Sequence, residues 1–366
     1  MTAPSAGAAE PVPLRPSIAR SAADRAFRLP VGAVVGAVVC LALAVGVAAA
    51  VGPAGLPLRG IVLEMVDRLP LVSVHSGLTD RQATILWQWR LPRIVLAGMV
   101  GGTLALCGAS YQGVFRNPLA DPYLLGVAAG AGLGATIVIA YGPDHGTWPI
   151  DPLPLAAFVG ALTAVCTAYL LGRRTDRSTA TLILAGVAVA SFLTSVQTYV
   201  MQRNAETLQE VYSWVLGRVA TSGWDEVGML LPYVAVCAGI ILLHRRHLDV
   251  LRLGDEEAVA VGADPARIRL VVVVAASLAT AAAVAVSGLI AFVGIIVPHL
   301  IRLLVGSTYR TVLPLSFLLG AAFLIGADVV ARVVISPAEL PIGVVTAFVG
   351  APFFSVVLWT SRRSLS

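Results

Sequence analysis

Lysine is absent from the 366-residue chain: all 25 basic residues are arginine. A phosphate-binding P-loop sets a lysine against the nucleotide phosphates, and Schiff-base catalysis needs a lysine amine, so neither chemistry belongs to this polypeptide. Charge of either sign is scarce. Only 12% of residues are charged against 58% hydrophobic, with a mean hydropathy of +0.87, where soluble domains run to roughly 25% and 45–50%. That composition argues against a soluble enzyme. Cysteine is limited to Cys40, Cys107, Cys166 and Cys237, each within an apolar block and none near a His or Cys at ligand spacing, which argues against a disulfide framework or a metal site. The apolar blocks hold neither paired carboxylates nor a Ser/His constellation, so no catalytic residue is assigned. The net charge of +5 does not point to nucleic acid, because in a membrane protein the sidedness of arginine matters more than its sum.

What is present is a series of long uncharged blocks, the mark of an all-α polytopic membrane protein. Residues 1–30, rich in Ala, Pro and Arg, are expected to form a disordered cytoplasmic leader before a membrane domain over residues 31–363. Val31–Val51, at 21 residues, exceeds the 7–15 of a signal-peptide core and reads as the first span. Further blocks run over 94–115, 123–142, 152–172, 178–202, 227–243, 312–327 and 340–360. The 32 uncharged residues of 270–301 would reach about 48 Å as one helix, too long for a core of about 30 Å. They divide into two helices with a turn near Ser287-Gly288, giving ten spans. With the N-terminus inside, 17 of the 25 arginines fall on that side, for net charges of +8 inside and −3 outside. The positive-inside rule then places both termini in the cytoplasm.

Small residues recur at helical spacing, in Gly98/Gly102 and in Gly126, Gly130 and Gly134. Such ladders let backbones approach closely, here for packing within the chain. Gly108, Pro118 and Gly126 recur as Gly288, Pro298 and Gly306, and Leu153-Pro154-Leu155 with Gly160-Ala161 recurs as Leu313-Pro314-Leu315 with Gly320-Ala321. The matches pair spans two to five with seven to ten. A shift of five spans inverts one copy, an arrangement common in transporters.

One loop breaks the apolar monotony: Arg116-Asn117-Pro118-Leu119-Ala120-Asp121-Pro122, with Asp121 and Pro122 where an N-cap and first helical residue would stand. Together with Arg90-Leu91-Pro92-Arg93, Gly108 and Gln112 it resembles the signature of the permease subunits of iron-chelate, haem and cobalamin ABC importers. The resemblance continues through Leu184-Ala185-Gly186, Trp214-Val215-Leu216-Gly217, Gly288 to Gly294, Pro298-His299 and Glu339 to Thr346, covering about residues 85 to 363. It implies ten helices per subunit, a second permease subunit (a homodimer or a paralogue pair), two ATP-binding subunits carrying the ATP, and a substrate-binding protein outside. The chain itself is then no enzyme, binds no cofactor, and resides in a bacterial cell membrane. The absent lysine fits a motor carried by another chain.

The resemblance also implies roles. The cytoplasmic loop over about 246–268 becomes a pair of short coupling helices in the ATPase groove, through Leu251, Leu253, Gly254, Glu257, Val261 and Gly262. The inner gate falls on Asn117, Leu119, Thr179 and Ala180, the last departing from a polar residue sometimes found there. Binding-protein docking falls on Arg90, Arg93 and Arg332. The fifth and tenth spans are expected to line the pathway, including Ser191, Thr194, Ser195, Gln197 and Thr198. His299, within a span, reads as packing beside Pro298, and Asp328 with Arg332 as an i,i+4 pair. The expected function is therefore import of a ferric siderophore, haem or cobalamin. An ion-coupled secondary transporter is the alternative that the repeat alone would allow, though the spans hold few carboxylates to carry a coupling ion.

Overall fold

The computed structural model describes residues 30–52, 55–68, 74–142, 151–174, 179–219 and 223–363. Residues 1–29 of the expected leader (1–30) lie outside them, as does Arg177 at the inner end of the fifth span. In chain order the helices are α1 (Val31–Ala50), α2 (Leu58–Asp67), α3 (Asp80–Thr84), a π-helical stretch Ile85–Arg90, α4 (Leu91–Phe115), α5 (Val127–Tyr141), α6 (Pro152–Arg174), α7 (Thr179–Arg203), α8 (Leu208–Val215), α9 (Asp225–Leu243), α10 (Arg245–Leu251), α11 (Asp255–Ala260), α12 (Pro265–Ser287), α13 (Val293–Leu304), α14 (Tyr309–Val333) and α15 (Ile342–Arg363). Among the described residues seven helices are long and apolar enough to cross a membrane, and the shorter apolar α5, α13 and α15 complete the expected ten. The protein is an all-α membrane protein.

The breaks follow local chemistry. Helix α4 stops at Arg116, in the left-handed region at φ 49°, just before Asn117-Pro118, where proline disfavours continued helix. Helix α12 starts with the Asp264 carboxylate accepting from the Arg267 amide at 3.0 Å and Pro265 at its first position. It ends at Gly288, φ 67°, where the length of the 270–301 block demanded a turn.

Helix lengths bear on the repeat. Helices α4–α7 contain 25, 15, 23 and 25 residues, and α12–α15 contain 23, 12, 25 and 22. The short second members, about 22 and 18 Å long, each begin after a residue with positive φ, Gly126 at 82° and Phe292 at 69°. The pairing of the two helix sets therefore has a structural counterpart, but in a different register: Gly126 corresponds to Phe292 rather than Gly306. The first repeated motif likewise sits in unlike places, Gly108 inside α4 and Gly288 closing α12, whereas the second, Leu153-Pro154-Leu155 and Leu313-Pro314-Leu315, lies near the start of the third helix of each set, α6 and α14.

Helix α4 is the centre, almost all of its residues being buried, and α9, α12, α13 and α14 pack around it. Helices α5, α6 and α7 pack on one another and join the rest where α12 meets α5 and α6. The glycine ladders are spent on these crossings: a Cβ on Gly101 would strike the Gly320 carbonyl, one on Gly108 the Gly294 backbone, and ones on Gly130 and Gly134 the backbone of α6 at Gly160 and Ala156. Close approach within the chain, with dispersion replacing the hydrophobic drive that lipid cannot give, is their role.

Candidate functional site

The signature turn is a hydrogen-bonded knot. The Asn117 carboxamide accepts from the Leu119 amide at 2.9 Å, the Asp121 carboxylate accepts from the Tyr123 amide at 2.8 Å, and Gln112 donates to the Gly294 and Ala120 carbonyls at 3.0 and 3.3 Å. The Tyr123 hydroxyl donates to the Ile290 carbonyl at 3.0 Å and accepts from the Ile290 amide at 3.1 Å. Asp121 thus organises a turn and is not the N-cap of α5, which begins six residues later at Val127, after Gly126. Burial beneath the helices pushes the Asp121 carboxyl up to about 6.

The other quoted motifs meet elsewhere in backbone contacts. The Arg218 amide donates to Ser287, Ile342 to Gly217 and Gly343 to Leu216, at 2.8, 3.1 and 3.1 Å. Gly217, at φ 76°, lies so close to the Leu289 carbonyl that a side chain would not fit. Three segments far apart in sequence are thereby tied at one point, which accounts for their glycines.

Two short helices occupy the expected coupling segment. Leu253 and Val261 are each 66% exposed, beside exposed Val259 and Glu257, while Gly254 (φ 139°) and Gly262 (φ 83°) make the turns at either end of α11. Leu251 differs from expectation. It is fully buried with Leu248, anchoring α10 to the bundle, so it cannot offer a contact surface. Asp255 ties the pair to the signature turn: Arg269 donates to both its oxygens at 2.6 and 2.8 Å, and Arg116, which also donates to the Leu251 carbonyl at 2.8 Å, forms a second ion pair with it. These hydrogen bonds, Arg269's first, hold the Asp255 carboxyl below its ordinary range.

The expected docking arginines lie differently. Arg90 and Arg332 are each 7% exposed. They donate to carbonyls at the end of α1, Arg90 to Ala49 at 2.6 Å and Arg332 to Val51 and Ala48 at 3.2 and 3.5 Å, satisfying the acceptors a helix C-terminus leaves open. Asp328 bonds Arg332 at 3.0 Å, the expected i,i+4 pair, and Arg93 at 2.8 Å. Arg93, bidentate to Glu339 at 2.8 and 3.0 Å, is the outermost of the three. Burial thus withdraws Arg90 and Arg332 from a docking surface.

On α7, Ser191, Thr194, Ser195 and Thr198 form an exposed polar strip facing away from their own bundle. Ser195 and Thr198 donate to carbonyls one turn back, at 2.9 Å each. Gln197 departs from the strip and turns inward to donate to Thr136 at 3.1 Å. Thr179 and Ala180 open α7, Ala180 exposed; the Thr179 side chain lies outside the description. His299 packs edge-on against Phe353 of α15, ring centres 5.7 Å apart. Sequence reasoning missed the contact of Arg302 with Gln112, at 2.5 Å, although a charge three residues after His299 in an apolar helix was a visible signal.

Comparison with known proteins accords with this geometry. A family model described as the FecCD transport family matches residues 40–360. The uncharacterised ABC transporter permease protein YvrB of Bacillus subtilis is 40% identical over 282 residues, spanning 76% of this chain and 80% of that one. The cobalamin import system permease protein BtuC of Halobacterium salinarum is 41% identical over 286 residues (78% and 76%), and the hemin transport system permease protein HmuU of Yersinia pestis is 33% identical over 329 (84% and 96%). Among solved structures, an inward-facing conformation assigned to a metal-chelate type ABC transporter superposes with a TM-score of 0.77 at 30% identity, covering 89% of this chain and 98% of that one.

Proposed function

The chain belongs to the FecCD transport family, and from that premise we propose that it works as the membrane permease of an ATP-driven importer whose cargo is an iron chelate or cobalamin. Relatives named for hemin and for cobalamin at comparable identity support that class of large, metal-bearing ligand. The arginine distribution supports both termini being cytoplasmic, and relatives from Bacillus subtilis and Yersinia pestis support a bacterial cell membrane as the protein's seat. ATP hydrolysis falls to two separate subunits, a second permease completes the pathway, and a binding protein delivers cargo.

The observation that carries the mechanism is the α10–α11 pair. It projects apolar Leu253, Val259 and Val261 outward while Asp255 fixes it to Arg116 at the head of the signature turn. A push from an ATPase docked there passes directly to the turn holding Asn117 and Leu119. Thr179 and Ala180, at the start of α7, are the proposed opposing gate residues. The exposed strip of Ser191, Thr194, Ser195 and Thr198 suits the pathway side, since four hydroxyls facing lipid tails would gain nothing there. Docking of the binding protein is reassigned to Arg93 and Glu339 at the mouth of the arginine cluster.

Proteoliposomes containing the permease, its ATPase and its binding protein test the proposal by ATP-dependent uptake of hemin, a ferric hydroxamate and cobalamin. Uptake of one of these, lost on Leu253→Asp with Val261→Asp while the variant stays folded, is expected. Uptake by the permease alone, driven by an ion gradient, would overturn it.

A further inference from the structure

At the end of the bundle carrying α10 and α11, a cleft of about 290 Å³ opens between the signature turn, the tail of α10 and the α13–α14 connection. Its wall contains Arg116, Arg252 and Arg302, with Gln112, Ser307 and Tyr309 between them, and no carboxylate. Arg252 donates to the Ser307 carbonyl and hydroxyl at 2.8 and 3.0 Å. Its guanidinium carbon lies 5.9 Å from the centre of the Tyr309 ring, and that of Arg302 lies 5.8 Å from the same ring, so the two cations stand within about 12 Å of each other. Arg302 spends Nη1 on Gln112 and interacts with the Tyr309 side chain, while its Nη2 is shut off from solvent with no well-aligned acceptor.

The nearest carboxylates are committed elsewhere. Asp255 is shared between Arg116 and Arg269, and Asp249 accepts from the Tyr309 amide at 2.7 Å and faces Arg310 at 3.6 Å. The cleft therefore gathers positive charge from three separate elements, with a desolvated donor at its wall and no anion of its own.

We propose that this cleft binds a phosphate group, with Arg252 and Arg302 as its principal ligands and Ser307 and Arg116 at its edge. Donors converging from several directions match the acceptor-only oxygens of a phosphate better than a planar carboxylate, which one guanidinium would satisfy. The volume admits an esterified phosphate as well as the bare ion. Leu303 and Leu304, 68% and 80% exposed at the end of α13, would lie along the chains of an anionic phospholipid whose head enters the cleft. A bound phosphate would bridge α10 to the α13–α14 connection and brace the short helices against the bundle. The site stands on its own geometry and does not depend on the transport reading.

The full-length chain, delipidated in a neutral detergent, is titrated with phosphatidylglycerol or phosphatidylcholine and followed by native mass spectrometry, and with inorganic phosphate by calorimetry. Saturable binding of phosphatidylglycerol or phosphate is expected, weakened about tenfold or more in Arg252→Gln and in Arg302→Gln and unchanged in Arg203→Gln. Phosphatidylglycerol alone binding identifies a lipid head; inorganic phosphate binding as well identifies a site for the free ion. Should a variant fail to fold, the wild-type protein still decides: bound ligand is expected to protect Arg252 and Arg302 from phenylglyoxal. Absence of saturable binding to either probe, equal binding by the variants, or no protection would overturn the proposal.

Discussion

Replacing Asp328 by Asn keeps the shape of the side chain and removes one charge from a cluster that depends on it. The carboxylate is 2% exposed and takes Arg332 at 3.0 Å and Arg93 at 2.8 Å. Three arginines, Arg90, Arg93 and Arg332, share two carboxylates, Asp328 and the more exposed Glu339. In the Asp328→Asn variant the three face one carboxylate, and that one bonds Arg93, leaving the buried Arg332 cation with only neutral acceptors, the introduced carboxamide oxygen and backbone carbonyls. At a separation of 3 Å each contact is worth about 5–6 kcal/mol gross at an effective dielectric near 20, and breaking one side of a buried pair costs about 3–5 kcal/mol net. Glu339 continues to serve Arg93, so the lower figure, about 3 kcal/mol, is expected. Thermal unfolding in detergent, followed by tryptophan fluorescence, measures it. Asp328→Asn is expected to lower the melting temperature more than Arg332→Gln, and the loss in the double variant to fall short of the sum of the single losses by at least about 1 kcal/mol. A melting temperature for Asp328→Asn within about 1 °C of wild type would refute the reasoning.

Gly108→Val drives a branched side chain into the Gly294 backbone, and overpacking of this kind costs at least about 1–3 kcal/mol; Gly32→Val, with nothing within 4 Å, is expected to leave detergent-extracted yield and melting unchanged. Asp121, pushed up to about 6 from an unfolded value near 3.9, contributes stability that is complete below about pH 4 and lost as pH rises through about 6. Asp121→Asn keeps the acceptor for the Tyr123 amide, so it should raise the melting temperature by an amount equivalent to about 3 kcal/mol at pH 7.5 and only about 1 kcal/mol at pH 4.5; a pH-independent difference would show that burial is not the cause. Ser195→Trp, on the exposed face of α7, should abolish cargo uptake in proteoliposomes while leaving the melting temperature within about 1 °C, and retained uptake would remove that face from the pathway.

The spans were legible because uncharged length is a one-dimensional property: the split of 270–301 followed from its length alone, and the chain turns at Gly288. The helix upstream of Leu91 was not, because Asp80–Arg90 carries polar residues and continues α4 only by way of a π-helical stretch. Exposure was the harder matter. Leu251 and Leu253 are the same residue type two positions apart, yet one is buried and the other two-thirds exposed, and nothing local distinguishes them. Arg90 and Arg332 look like interfacial arginines in sequence. Only folding brings the end of α1, some 40 residues before Arg90 and 280 before Arg332, against them.

The glycine crossings set how such a bundle can move. Where α4 meets α14 at Gly101 and Gly320, α4 meets Gly294 at Gly108, and α5 meets α6 at Gly130 and Gly160, main chain rests on main chain with no side chain between. A side chain can change rotamer and let neighbours slide; a carbonyl lodged against an α-carbon has no such freedom. The helix pairs joined at these crossings therefore resist sliding past one another. Relative movement is easier where side chains lie between helices, so these crossings divide the bundle into contacts that hold and contacts that can give.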